Sequence, residues 1–558
     1  MNKFLILIVS MLFGIGGCAF APKNPASHKV EVEEHLLRVN RNGYLIPSDF
    51  AMQNPLSRDS TKASLSFNEV EIKYTKIWEQ AISLACLKQT KFKQKQCFDS
   101  FQSYFLDPNN DKYFSNSEGE AVKDTPIKLL VYFHGGLNTY SDSDERVENH
   151  VSYIEDIKTN SNTNPDWHYP IFVSWPSNLL GTIGEHLLWE REGRVTSTGT
   201  GLISTPFIIF EDVVSSIGEL PSNFYFQFTN DKDRYASGTN LSKYLTSSIW
   251  EEAYYKYQNL NFQEPLTSDY LRSKYHSGRL NSDMKNIAIN RSIYSRSGFK
   301  HRAESAGTLL FTPFRYVVGS LWNGAIAANS WDMMKRRARS MFYPHGDFDK
   351  RMKAQSGEHL GTFFEFILNK EKSYPALDIE LTLIGHSMGT IAINNLLSKY
   401  KQDWEETSIL KDIVYMAAAA NINDTLSIVP TILRNNINDI GFHNLTLNRV
   451  AESAEVYGYG LLPSGSLLVS IDKYHDSPEH HLLRTMGTEL NVHSSLDVIT
   501  EAFSGMTDPV SFKSFNSINH SLPKKHGDFG CILYWKSSTW DIRNEEGHTP
   551  KPGEELCE

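Results

Sequence analysis

Apolar positions fall in two registers along this chain. Between Phe67 and Leu106 they recur at helical spacing, with Ile72, Ile77, Ile82 and Leu84 separated by mixed charges, which predicts helices. From Ile127 the register changes. Ile127–Phe133 is a short apolar run broken only by Lys128, the signature of a buried parallel strand. Tyr169–Trp175, Asp378–Ile384, Ile413–Met416 and Asn444–Leu447 repeat it, and helical stretches lie between them, among them the acidic one from Asp142 to Ile157. Strands alternating with helices predict an α/β fold, a mostly parallel sheet flanked by helices.

One long interruption breaks the alternation. Residues 177–329 read as a large, mainly helical cap insertion with two similar helix starts, Thr205-Pro206-Phe207 and Thr312-Pro313-Phe314. Each has a leucine three residues before the threonine (Leu202, Leu309). Thr is a good N-cap, and Pro suits the first helical position because its missing N–H has no partner to lose there. The second start opens an apolar stretch to Ser330 in which Arg315 is the only charge; a core helix of the cap, an interfacial helix and a lid all fit it. The predicted order is a leader over 1–17, a tether with a β segment (His35 to Ile46) over 18–60, and a helical extension over 61–122. Core residues 123–176 follow, then the insertion, then the second part of the core over 330–558.

With 558 residues, 40% of them hydrophobic, the chain can bury a large core, which excludes a disordered or collagen-like protein. The formal net charge of −10 gives no electrostatic footprint for nucleic acid.

The first residues alter the expected location. Lys3 precedes an uncharged apolar run from Phe4 to Ile15, followed by Gly16-Gly17-Cys18. That run is short for a bilayer span and reads as a secretory signal. Ile15-Gly16-Gly17-Cys18 resembles the lipobox of bacterial lipoproteins. The resemblance implies acylation of Cys18 after cleavage before it. With Ala19 next, it implies a lipid-anchored protein of the cell envelope, at the outer membrane and facing the periplasm. Four further cysteines remain, allowing three pairings; Cys86–Cys97 and Cys531–Cys557, both local, are favoured. None lies in a C-x-x-C or Cys/His cluster, so neither a metal nor a redox cofactor is expected.

The most informative phrase is Gly385-His386-Ser387-Met388-Gly389, a G-x-S-x-G directly after a predicted strand and before a helical stretch (Ile391, Leu396, Leu397, Tyr400). A sharp strand-to-helix turn lifts the serine hydroxyl above the sheet, with the two glycines letting strand and helix pass closely. Ser387 is therefore the candidate nucleophile. His134-Gly135-Gly136-Leu137-Asn138 follows the first core strand, where the N–H of Gly136 would join that of Met388 in an oxyanion hole. His134 is expected to hold that loop.

A serine hydroxyl needs a base. His526, in Lys524-Lys525-His526-Gly527-Asp528-Phe529 before the apolar run Cys531–Tyr534, is favoured by chain order over His520, His493 and the pair His480-His481. Glu452, after Leu445-Thr-Leu-Asn-Arg449, is the first choice for the acid, with Glu455 and Asp424 as alternatives.

Over roughly 123–534 the chain resembles the α/β-hydrolases, and within them a poorly characterised bacterial esterase/lipase-like group. The phrases are F-H-G-G-L-N (133–138), V-S-W-P-S (173–177), W-D-M-M-K-R-R-A (331–338), G-H-S-M-G (385–389), G-S-L-L-V-S-I-D (465–472) and H-G-D-F (526–529). The resemblance implies Ser387 as nucleophile, His526 as base and no cofactor. Relatives often carry Asp where this chain has Val450-Ala451-Glu452. The expected activity is hydrolysis of carboxylic esters, with an acyl-ester and possibly lipid substrate. A thioesterase, amidase or acyltransferase would use the same residues, and a non-catalytic envelope scaffold on the same fold is the competing class.

Overall fold

The apolar runs become the strands of one sheet. The computed structural model describes residues 30–47, 64–86, 91–106, 125–160, 168–177, 328–343, 359–447, 466–476, 481–515 and 523–540, apart from isolated positions. It also describes Glu452, Glu455 and scattered residues between 182 and 217. The strands are β1 (Leu36–Arg38), β2 (Ile127–Phe133), β3 (Tyr169–Ser174), a small pair β4 (Glu190–Arg191) and β5 (Arg194–Val195), then β6 (Ile379–His386), β7 (Leu410–Met416), β8 (Gly441–Leu447) and β9 (Val510–Phe515). Seven of them form one sheet in the order β1-β3-β2-β6-β7-β8-β9, and every ladder in it is parallel. The general α/β expectation therefore holds. In β2 every side chain but Lys128 is buried, and β3 and β8 are buried throughout, as parallel strands covered on both faces must be.

Helices supply the cover. We label them α1 (Phe67–Cys86), α2 (Lys91–Leu106), α3 (Tyr140–Asn160), α4 (Ala328–Ser340), α5 (Gly389–Lys399) and α6 (Ile422–Asn435). Helix α1 buries Val70, Tyr74, Ile77, Trp78, Ala81 and Ile82, a stripe at 3.6-residue spacing, and packs on β2 and β3. Helix α5 buries Ile393, Leu396 and Leu397 against β6 and β2, each contributing about 1.5–3 kcal/mol. The predicted helical stretch over 67–106 is thus two helices, joined by the Cys86–Cys97 disulfide (Cα–Cα 5.7 Å). Cys531 is also disulfide-bonded; its expected partner, Cys557, lies outside the described residues.

Two elements differ from the sequence reading. The β segment expected over His35–Ile46 gives the sheet only Leu36–Arg38; the chain then turns back at Gly43, whose φ of 82° suits glycine, and closes with a Val39–Leu45 bridge. Strand β9 was not expected. Its sequence Val-Ser-Phe-Lys-Ser-Phe mixes apolar and polar residues, on the edge of the sheet, instead of forming a continuous apolar run. The leader, Cys18 and most of the insertion over 177–329 lie outside the described residues. Among those described, no helix is long and apolar enough to cross a membrane.

Candidate active site

Phe133 at the end of β2 is in register with Gly385 near the end of β6. Strand order runs outward from this central pair, β2 leading to β3 on one side and β6 to β7 on the other. Such a reversal opens a crevice beyond the carboxyl ends of the strands, because the crossovers diverge there. His134-Gly135-Gly136 leaves β2 at that crevice, and Ser387-Met388 leaves β6.

Ser387 has φ 49°, a left-handed conformation that strains an L-residue by about 1–2 kcal/mol. The turn is held from all sides. The Ser387 N–H donates to Met416 O (2.8 Å), while its carbonyl accepts from Ala419 N (3.0 Å), Thr390 N (3.1 Å) and Thr390 Oγ1 (2.7 Å). Both glycines of the motif are sterically required. A Cβ on Gly389 would stand 2.2 Å from Phe133 O, and one on Gly385 would stand 2.9 Å from Thr390 N. Gly389→Ala should therefore cost about 3 kcal/mol, since backbone of β2 must move. Urea unfolding measures it, and a loss below about 1 kcal/mol would mean that helix and strand separate freely.

The His-Gly-Gly loop runs against this turn. A Cβ on Gly135 would lie 3.0 Å from Ser387 Cβ, and one on Gly136 would lie 3.7 Å from Met388 Cβ. Among the described residues neither Gly136 N–H nor Met388 N–H donates a hydrogen bond. Two amides are thus left beside the serine, the donor type that holds a developing oxyanion. His134 clamps the loop: its Nε2 accepts from Trp175 N–H (3.0 Å), its Nδ1 donates to Gly135 O (2.7 Å), and its ring stacks on Trp175 at 3.8 Å. Burial pushes its pKa down to about 3, so it stays neutral.

His526 opens a 3-10 turn (His526–Gly530) after β9 and is buried. Its ring centroid is 5.1 Å from that of His386, the neighbour of Ser387. Side chains tie both sides of its backbone: His386 Nε2 donates to the His526 carbonyl (3.1 Å), and Glu455 accepts the His526 N–H. Neither ring nitrogen of His526, nor Ser387 Oγ, has a hydrogen-bond partner among the described residues. Burial lowers the His526 pKa to about 4, so the imidazole is held as a neutral base. A buried hydroxyl and a buried neutral imidazole, both unpartnered among the described residues, thus flank His386, the one by sequence and the other by contact. Serine-to-histidine proton transfer requires those two groups.

Of the acid candidates, Glu452 and Glu455 are both buried, and Glu455 binds the backbone of His526. Asp424 is elsewhere. It lies in the first turn of α6, where its N–H donates to Oδ1 of the capping Asn421 (2.7 Å) and its carboxylate accepts from Asn421 Nδ2 (2.9 Å) on the exposed surface. His493 belongs to the helix Glu489–Ser494 and His481 to a 3-10 turn; His480 and His520 lie outside the described residues. His386 is the residue that sequence reasoning passed over, although it occupies the x of G-x-S-x-G. Among the described residues no three His, Cys, Asp or Glu side chains gather to hold a metal ion.

Burial keeps several histidines neutral here: His134, His150, His386, His475 and His526 all have pKa values below the ordinary one. The unfolded chain binds their protons near pH 6.5, while the folded chain does not. Their contribution to stability is present above pH 6.5 and is lost as the pH falls toward 4. The urea midpoint should fall steeply from pH 7 to pH 5, and a flat profile would contradict buried neutral imidazoles.

A scan against protein-family models and searches of curated proteins and of solved structures return no match to this chain.

Proposed function

We propose that the chain is an α/β-hydrolase-type serine esterase or lipase, acting through Ser387, His526 and a glutamate. The observation that carries the reading is Ser387 at φ 49° on the turn leaving the central strand. It stands at the reversal of strand order, beside the Gly136 and Met388 amides, and its neighbour His386 is bonded to the loop that carries His526. Strain of that kind persists only where the surroundings enforce it, and it gathers at reactive sites.

In this reading Ser387 Oγ attacks the ester carbonyl while His526 takes its proton. The tetrahedral oxyanion accepts hydrogen bonds from the Gly136 and Met388 amides, and collapse expels the alcohol, which receives the proton from His526. Water, activated by the same imidazole, then attacks the acyl-enzyme and releases the acid. No cofactor enters. Acylation of Cys18 would anchor the enzyme to the envelope, and two or three acyl chains would make that anchoring durable.

A fluorophosphonate probe tests the reading directly. Native protein should be labelled, with the adduct on the peptide containing Ser387; folded protein that resists labelling would favour the scaffold class. Hydrolysis of p-nitrophenyl esters of graded acyl length then defines the substrate. Rates rising with chain length would support lipid esters, and activity confined to acetate would restrict the enzyme to small esters.

A further inference from the structure

One carbonyl beside the crevice is held by more donors than it can fully use. Gly135 O has two lone pairs, yet three side chains converge on it: His134 Nδ1 (2.7 Å), Asn138 Nδ2 (3.2 Å) and Ser177 Oγ (3.2 Å). One comes from the residue before the glycine, one from three residues after it, and one from just beyond β3. The Ser177 hydroxyl also reaches Asn138 O (3.4 Å), so its single proton spans both ends of the His-Gly-Gly loop. Ser177 is buried and Asn138 half-buried.

The segment that carries Ser177 is itself anchored. Trp175 N–H donates to His134 Nε2 (3.0 Å), and Pro176 O accepts from Arg337 Nη1 (3.1 Å). Arg337 also binds Glu185, and Glu185 binds Arg41 (3.3 Å); all three side chains are buried. Three consecutive residues beyond β3 are thus each pinned, and the hydroxyl of the third is delivered to Gly135 O by a rigid support.

We infer that Ser177 and Asn138 are positioning residues for the oxyanion hole: through Gly135 O they aim the Gly136 N–H at the oxyanion formed when Ser387 attacks. A trans peptide is planar, and its C=O and N–H point in opposite directions. The N–H opposite Gly135 O is that of Gly136. Donors gathered on the oxygen therefore turn the hydrogen away from Ser177, to the side where the nucleophile turn stands. A Cβ on Gly135 would lie 3.0 Å from Ser387 Cβ, and one on Gly136 would lie 3.7 Å from Met388 Cβ. A flipped peptide would aim a carbonyl at the oxyanion and leave the three donors facing an N–H. A donor fixed before charge develops keeps its full benefit, because nothing has to reorganise as the bond forms. The inference rests on the proposed hydrolase chemistry and adds two residues to it.

The test compares Ser177→Ala, Asn138→Ala and their double variant with the native full chain, under conditions where urea unfolding shows each to be folded. For a p-nitrophenyl ester, kcat should fall about tenfold in either single variant and about 10²-fold in the double, approaching the loss of the donor itself. KM should stay within about twofold, since the interaction is made in the transition state. Fluorophosphonate labelling of Ser387 should slow in the same order, because the phosphoryl oxygen uses the same donors. Asn138→Asp keeps the shape of the side chain but turns an acceptor toward Gly135 O, so it should lose more activity than Asn138→Ala. Folded variants with native kcat and native labelling rates would overturn the inference and leave the hydrolase reading intact. So would a rise in KM with kcat unchanged, the mark of a displaced substrate, or an Asn138→Asp variant as active as the native chain. Native protein inert to both ester and probe would sink the hydrolase reading, and the role of Ser177 and Asn138 with it.

Discussion

Ser387→Ala should lower kcat/KM for ester hydrolysis by about 10⁵-fold or more while leaving the protein at least as stable as the native form. The activity loss follows from the proposed chemistry, in which Ser387 Oγ forms the acyl bond; in such sites what survives comes from the oxyanion donors and binding alone. The stability gain has a separate cause. Ser387 Oγ is buried without a partner among the described residues, and a buried unsatisfied hydroxyl costs about 1–3 kcal/mol. Alanine keeps the Cβ and the strained φ, so only the hydroxyl is deleted. Ser387→Gly also relieves the left-handed strain, about 1 kcal/mol, partly offset by the greater freedom of glycine in the unfolded chain. Activity and urea unfolding on the same preparations read both effects. An alanine variant retaining a tenth of native activity, or one destabilised by 1 kcal/mol, would separate this serine from the chemistry assigned to it.

What the sequence could disclose depended on whether the signal was local. Strand β2 is buried but for Lys128 and β6 but for Glu380 and Thr382, so their apolar residues stand out without any knowledge of partners. The turn at Ser387 was legible because the glycines that permit it lie within two residues of the serine. Strand β9 left only a broken apolar pattern with Lys513 in its middle; burial lowers that lysine's pKa to about 8, and its Nζ donates to Thr539 O (2.6 Å). Nothing near Lys513 in sequence foretells that contact. The clamp on His526 was likewise hidden, because His386 and Glu455 reach it from positions 140 and 71 residues away. The same holds for Arg41, Glu185 and Arg337, each an ordinary charge in its own segment and buried only through the others.

Glu452→Gln should reduce kcat about 10⁴-fold, and Glu455→Gln should reduce it far less. The acid of a serine hydrolase holds Nδ1–H of the histidine and stabilises the imidazolium formed as the serine proton arrives; an amide in its place supports the wrong tautomer. His526 begins with a strong need for that help, because burial sets its pKa at about 4 and the protonated ring is disfavoured where it sits. Glu455 already accepts the backbone N–H of His526, and glutamine keeps an acceptor oxygen for that contact, so its loss should be nearer tenfold. We take Glu452, three residues earlier and also buried, as the acid. The pH dependence of kcat/KM separates chemistry from folding. Within the range where both variants remain folded, Glu452→Gln should become more active toward alkaline pH, where a base with a less favourable tautomer is assisted by hydroxide, whereas Glu455→Gln should keep the native profile. If Glu455→Gln shows the 10⁴-fold loss and Glu452→Gln turns over normally, the acid is Glu455, and its bond to the backbone must exchange for one to the ring during catalysis.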